Sequence, residues 1–194
     1  MSWPLARPLQ EVAVYLAHVG ALFRPGVRVR PFRVHPGAVG SLEGWSDDDF
    51  QLLVEEGRRQ LDRQRTDLDR LQSRSQLLFT TAVALLALLV SESGVVHRHG
   101  IGVVVLWYLG LVLIVVGLLG SAALMSVRST FGMIDAALLS QQTPPVLRSV
   151  ARAHAEGVAE GENTVGTRLT VFRDEVMLVV VGAALQAGVW LAAR

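Results

Sequence analysis

One stretch of this chain restricts its fold more than any other, because residues 101–127 contain no charged side chain over 27 positions. A bilayer core about 30 Å thick is crossed by roughly 20 helical residues. Two further apolar runs are present, Leu77–Val90 and Val176–Ala193. We therefore predict an all-α membrane protein with three transmembrane helices, at about 77–96, 101–127 and 176–193, and with long cytoplasmic helical extensions.

The first of these spans is the shortest. Leu77–Val90 has only 14 residues and reaches a full crossing only if it continues through Glu92 to Val96. The alternative is a buried or re-entrant helix. All 18 basic residues of the chain are arginines. We favour the crossing because it gives the larger difference in the number of arginines between the two sides of the membrane. With the N-terminus in the cytoplasm, 16 arginines lie inside and two outside, which predicts that orientation in the plasma (inner) membrane.

A heptad pattern precedes the first span. Ser46 and Asp49 have the spacing of a capping box. From there, residues with alternating four- and three-residue spacing form a seam that Gly57, Gln64 and Ser75 interrupt. No proline follows, so a single helix of about 45 residues is expected to run into the span. The main apolar members of this first seam are Phe50, Val54, Leu61, Leu68 and Leu71.

A second seam leads into the third span, after a predicted helix start at Thr143–Pro145. Its main members are Val158, Val165, Leu169 and Phe172. Glycines in this region predict a kink or break near Gly161. The two seams have two interpretations, since they can pack together within one chain or join chains in a homo-oligomer. These features divide the chain into residues 46–142, a charged helix with a transmembrane hairpin and its extension, and residues 143–194, a cytoplasmic helix and the third span.

Residues 1–45 form a further segment. Apolar residues from Leu5 to Phe23 recur at helical spacing, with Glu11 and His18 between them, which is typical of an interfacial helix. The Arg/Pro-rich connector Arg24–Pro36 follows this helix. We interpret the connector as a solvated tether that can reach lipid headgroups.

Little in the chain suggests chemistry. It contains no cysteine, and its net charge of +1 gives no reason to expect a nucleic-acid partner. No nucleophile elbow, phosphate-binding loop or dinucleotide turn is present, and His97 and His99 lack a third metal ligand other than Glu92. The acid pair Asp174–Glu175 is interpreted as solvated charge. We therefore predict a non-enzymatic protein without cofactor or metal, in which Gln186 and Glu92 are the polar candidates within the membrane.

The segment DLDRLQSRSQLLFTTAVALLALL, in which a charged helix enters a span, resembles the small helical membrane effectors of bacterial antiphage operons, including SLATT-type proteins and those of cyclic-nucleotide systems. AEGVAEGENTVGTRL is similar to actinobacterial multi-pass membrane proteins. The resemblance implies an oligomeric, pore-forming or membrane-disrupting effector. The alternative is an accessory or anchoring subunit that docks a cytoplasmic protein partner through its seams.

Overall fold

The computed structural model describes residues 6–24, 40–91, 93–96, 98–126 and 146–192. Five helices lie in these ranges: α1 (Ala6–Leu22), α2 (Asp47–Ser91), α3 (Ser93–Val96), α4 (Ile101–Ser126) and α5 (Val146–Ala192). No strand occurs in them, so the predicted all-α class is confirmed. Three helices, α2, α4 and α5, are long and apolar enough to cross a membrane, as the sequence predicted.

The start of α2 is set by the predicted capping box. The backbone amide of Asp49 donates to the Ser46 hydroxyl at 3.3 Å, and the Asp49 carboxylate accepts from the Ser46 amide at 2.9 Å. Both bonds satisfy amides that would otherwise lack partners at a helix end. The helix then continues for 45 residues to Ser91, which confirms the prediction of one unbroken helix.

No break occurs near Gly161, where the sequence predicted a kink or break. Helix α5 runs without interruption for 47 residues, from Val146 to Ala192. A Cβ at position 161 would collide with the side-chain oxygen of Gln64 on α2. Gly161 therefore gives room to the Gln64 side chain, and tertiary packing outweighs the low helix propensity of glycine.

Contacts divide the chain into two units. The charged unit comprises Pro31–Arg70 and Arg128–Thr167. Its core is a cluster of Leu42, Phe50 and Ala151, against which three further apolar side chains pack. The predicted extension of the second span, the helix start at Thr143–Pro145 and most of the connector lie outside the described residues.

The apolar unit comprises Met1–Arg30, Leu71–Val127 and Arg168–Arg194. Three small clusters form its core, and each joins side chains from several helices. They are centred on Leu124 with Tyr15 and Val171, on Ile114 with Ala82 and Val179, and on Trp107 with Val96 and Val189. Large apolar side chains, among them Leu77, Leu88, Ile101 and Leu191, remain exposed in this unit. An apolar surface of this kind suits a lipid environment, since soluble proteins rarely carry extensive exposed apolar patches.

Helix α1 packs on α4 and α5 through a face that carries both polar and apolar side chains. The Tyr15 hydroxyl donates to the Val116 carbonyl of α4 at 2.7 Å, and Glu11 forms an ion pair with Arg173 of α5 at 2.7 Å. Four apolar residues that the sequence singled out are exposed instead, namely Leu9, Val12, Leu16 and Phe23, whereas Val19 packs against the Tyr15 cluster. This arrangement matches a helix whose apolar row faces lipid.

Candidate functional site: buried polar groups of the apolar unit

A carboxyl group lies completely buried among the helices of the apolar unit. Glu175 of α5 has 0% of its surface exposed. Its Oε1 accepts a hydrogen bond from the Ser75 hydroxyl of α2 at 3.1 Å, and the Ser121 hydroxyl of α4 interacts with the same carboxyl group. Ser75 and Ser121 are also fully buried. Three helices thus meet at one ionisable side chain.

Small residues make this meeting possible. A Cβ at Gly117 of α4 would lie 3.1 Å from the backbone oxygen of Glu175 and 2.7 Å from the Val179 side chain. Any larger residue would therefore force α4 away from α5 at this level. Ser75, one of the residues that interrupt the first seam, provides both the space and the hydrogen-bond donor on α2.

One carboxyl oxygen remains without a partner. Oε2 of Glu175 has no hydrogen bond of ordinary geometry among the described residues, and no cation there forms an ion pair with this side chain. A buried ionised carboxylate without compensation costs several kcal/mol. An ionised Glu175 would therefore lower the stability of the apolar unit.

The prediction that Asp174 and Glu175 are both solvated charges is wrong for Glu175. Asp174 is partly exposed and pairs with Arg173 at 3.2 Å. Successive residues on an α-helix point about 100° apart. The neighbouring side chain therefore turns from the surface into the interior. The available signal was the spacing of Glu175 from Val171 and Val179, each four positions away on the same face.

Two further ionisable groups of the apolar unit are buried outside its predicted spans. His18 of α1 bonds through Nδ1 to the Val14 carbonyl at 2.9 Å. Burial lowers the pKa of His18, and the nearby positive charge of Arg168 lowers it further despite the opposing effect of that hydrogen bond. Arg168 itself is only 8% exposed, and burial lowers its pKa as well. The lowered pKa of His18 favours the neutral imidazole beside this arginine.

Gln186, a predicted membrane polar residue, links two helices. Its Nε2 donates to the Trp107 carbonyl of α4 at 2.7 Å, and the side chain is buried. Gly110 lies directly opposite, where a Cβ would be 2.5 Å from the same nitrogen. The fully buried Ile114 lies along α4 between the positions that contact Glu175 and Gln186. Glu92, the other predicted polar residue, lies outside the described residues.

The first seam is covered within the single chain. Burial along α2 follows the predicted heptad positions, with four apolar members buried and Val54 half-buried; the four are Phe50, Leu61, Leu68 and Leu71. The interruptions have partners as well. In the charged unit, Gln64 donates from Nε2 to the Val158 carbonyl at 3.0 Å, and Gly57 admits His154, whose Cβ would be 3.0 Å from an added methyl.

The second seam is displaced from the buried face of α5. Leu169 is 55% exposed, and Val158, Val165 and Phe172 are half-buried. The buried positions of α5 lie mostly one residue before the seam positions, and many of them hold small or polar residues. These buried residues include Ala151, His154, Gly157, Gly161, Arg168, Val171 and Glu175. The apolar pattern of α5 therefore did not reveal which face is covered.

An apolar groove lies on the outer surface of the apolar unit, between α4 and α5. It has a volume of about 370 Å³ and is lined by Val103 and Leu106 of α4 and by a longer stretch of α5, including Ala184, Gly188 and Ala192. No atom lies within 4 Å of the position that a Cβ at Gly188 would take. The groove is thus open and is bordered by three small residues at four-residue intervals.

The described residues contain no group of three or more His, Asp or Glu side chains that could hold a metal ion. His97 and Glu92 lie outside them, so the sequence-based assignment of no metal site stays a prediction. Searches against protein-family models, curated proteins and solved structures give no match to this chain. Function must therefore be argued from the geometry of the chain itself.

Proposed function

We propose that the protein is a non-enzymatic integral membrane protein that assembles as a homo-oligomer and acts on the membrane that holds it. The observation that carries this proposal is the open groove between α4 and α5, whose floor is lined by small residues. Permeabilisation of the plasma membrane is the activity that the resemblance to antiphage effectors implies for such an assembly. The distribution of arginine supports a cytoplasmic N-terminus.

The groove suits a helix from a second copy of the chain. Within lipid, helices associate where small residues let their backbones approach closely. Gly110, Gly117 and Gly182 already serve the packing of α4 against α5, since an added Cβ at each would meet neighbouring atoms at 3.1 Å or less. An added Cβ at Gly188, by contrast, would meet no atom within 4 Å. The unused small residues therefore favour a contact between protomers.

Assembly through the first seam is less favourable than this contact. Leu61 and Leu68 are already buried within one chain. An intermolecular seam at these positions would first require α2 to leave its partner in the same protomer. The outer face of α5 needs no such rearrangement.

The decisive experiment compares two substitutions at open glycines. Gly188→Ile fills the groove, whereas Gly102→Ile adds the same side chain at an exposed position of α4 that does not line the groove. Neither site has an atom within 4 Å of an added Cβ, so both variants are expected to keep the protomer fold. The mass of the protein–detergent complex should show an oligomer for the unmodified chain and for Gly102→Ile, and a monomer for Gly188→Ile.

A cross-linking assay provides an independent readout. The chain contains no cysteine, so Ala184→Cys introduces a single thiol at the edge of the groove. Oxidation should join two protomers, and dye release from reconstituted vesicles should fall with Gly188→Ile but not with Gly102→Ile. A monomeric unmodified chain with no cross-link would reject the homo-oligomer and favour the accessory subunit, with the groove occupied by a partner's helix.

A further inference from the structure

We infer that Glu175 is a proton-binding site, which holds its carboxyl group as a neutral acid while α2, α4 and α5 are packed around it. Loss of the proton would place a negative charge in the contact between these helices and force that contact to open. The inference concerns the interior of a single protomer. It is therefore independent of whether copies of the chain associate through the outer groove.

The hydrogen bonds around the carboxyl group support the neutral form. The Ser75 hydroxyl donates its proton to Oε1 at 3.1 Å. The Ser121 hydroxyl, which interacts with the same carboxyl group, also lies within 3.4 Å of the Gly117 carbonyl and has only one proton to donate. Oε2 then has no donor directed at it. A proton on the carboxyl group removes the negative charge for which the described residues provide no second donor at Oε2.

Within the described ranges, no ionisable group near the site forms an ion pair that would supply a compensating positive charge. On α1, Tyr15 lies close enough to Glu175 to interact with it electrostatically. Its hydroxyl is neutral and donates its proton to the Val116 carbonyl. Helix α4 contributes no charged residue, since Ile101–Ser126 contains none. On α2, Arg74 next to Ser75 is exposed.

Helix α5 adds three charged groups near Glu175. Arg173 is engaged by Glu11 and by Asp174, which is the acidic neighbour of the site in sequence. Arg168 lies seven positions before Glu175 and forms no ion pair with it among the described contacts. The charge of an ionised Glu175 would therefore be balanced by no neighbour in the described structure.

Proton loss and helix packing are coupled for this reason. An ionised carboxylate regains hydration only if water enters, and Gly117 leaves no space for water while its Cα lies against the backbone of Glu175. The carboxyl proton would leave to solvent water as α4 separates from α5 at this level. Rebinding of a proton would allow the three helices to close again.

Vibrational spectroscopy of the full chain in detergent tests the protonation state directly. At neutral pH, the spectrum should contain the carbonyl stretching band of a protonated carboxylic acid. Glu175→Gln should remove this band, whereas Asp174→Asn, which alters the exposed neighbour in sequence, should leave it unchanged. Absence of the band from the unmodified chain would overturn the proposal.

Thermal unfolding at increasing pH tests the coupling. The unmodified chain and Asp174→Asn should lose stability as alkaline solution removes the buried proton, and Glu175→Gln should lose less because its amide cannot ionise. If Glu175→Gln fails to fold, the pH titration of the acid band in Asp174→Asn provides the same test. Equal alkaline losses of stability in Glu175→Gln and the unmodified chain would contradict a coupled site. An acid band that persists at the alkaline pH at which the chain loses stability would contradict it as well.

Discussion

Gly182→Ala should destabilise the apolar unit because α4 and α5 approach closely there. An added Cβ would lie 2.7 Å from the Ile114 side chain, 2.9 Å from the Gly110 backbone oxygen and 3.2 Å from the Ile114 backbone nitrogen. Two of these three atoms belong to the backbone and cannot rotate away. Overpacking costs about 1–3 kcal/mol, and replacing glycine in a helix returns about 1 kcal/mol. With the upper end of the first range, the net loss is about 2 kcal/mol.

Gly188→Ala is the matched control, since it lies six positions later on the same helix. An added Cβ there meets nothing within 4 Å, so only the helix-propensity gain of up to about 1 kcal/mol applies. Denaturant unfolding, followed by circular dichroism with at most one protein per micelle, should separate the two variants by about 3 kcal/mol, the sum of these effects. Equal stability of the two variants would refute the close approach of α4 and α5.

Two further predictions concern the charged unit and α1. Burial lowers the pKa of His154, and the charge of Arg58 lowers it further, so the unfolded chain binds this proton more tightly than the folded one. Stability should therefore be complete above pH 6.5 and decline as the pH falls below it, and His154→Gln should weaken this decline in urea unfolding; an unchanged decline would exclude His154 as its cause. Tyr15→Phe removes the hydrogen bond to Val116, and hydrogen exchange of α1 should become faster than in the unmodified chain, whereas Tyr108→Phe on the exposed face of α4 should leave it unchanged. Unaltered exchange in Tyr15→Phe would show that apolar contacts alone hold α1.

The buried face of α2 could be predicted from sequence because its pattern and its packing agree. Leucines at heptad spacing mark the covered positions, and the capping box marks the start of the helix. The interruptions at Gly57, Gln64 and Ser75 belong to the same face. Their partners could not be predicted, since they depend on the register between α2 and α5.

The covered face of α5 shows why hydrophobic patterning failed there. Glycine and glutamate are not expected at core positions from their hydrophobicity. Gly161 is nevertheless buried against Gln64, and Glu175 is buried against Ser75. Leucine is expected at core positions, yet Leu169 is exposed. Shape and hydrogen bonding, rather than apolar character, therefore decide which face of α5 is covered.

The same rule links the buried carboxyl group to the outer groove. Glu175 and Gln186 are 11 residues apart, which is about three helical turns, so both lie on the inner face of α5 and fix its rotation about its axis. Gly188 is two positions beyond Gln186, about 200° around the helix, and therefore faces outward. A rotation that withdraws Glu175 from Ser75 must also turn the part of α5 that lines the groove, because one continuous helix carries both. If ionisation of Glu175 turned α5 about its axis, the surface that we propose for assembly would turn with it.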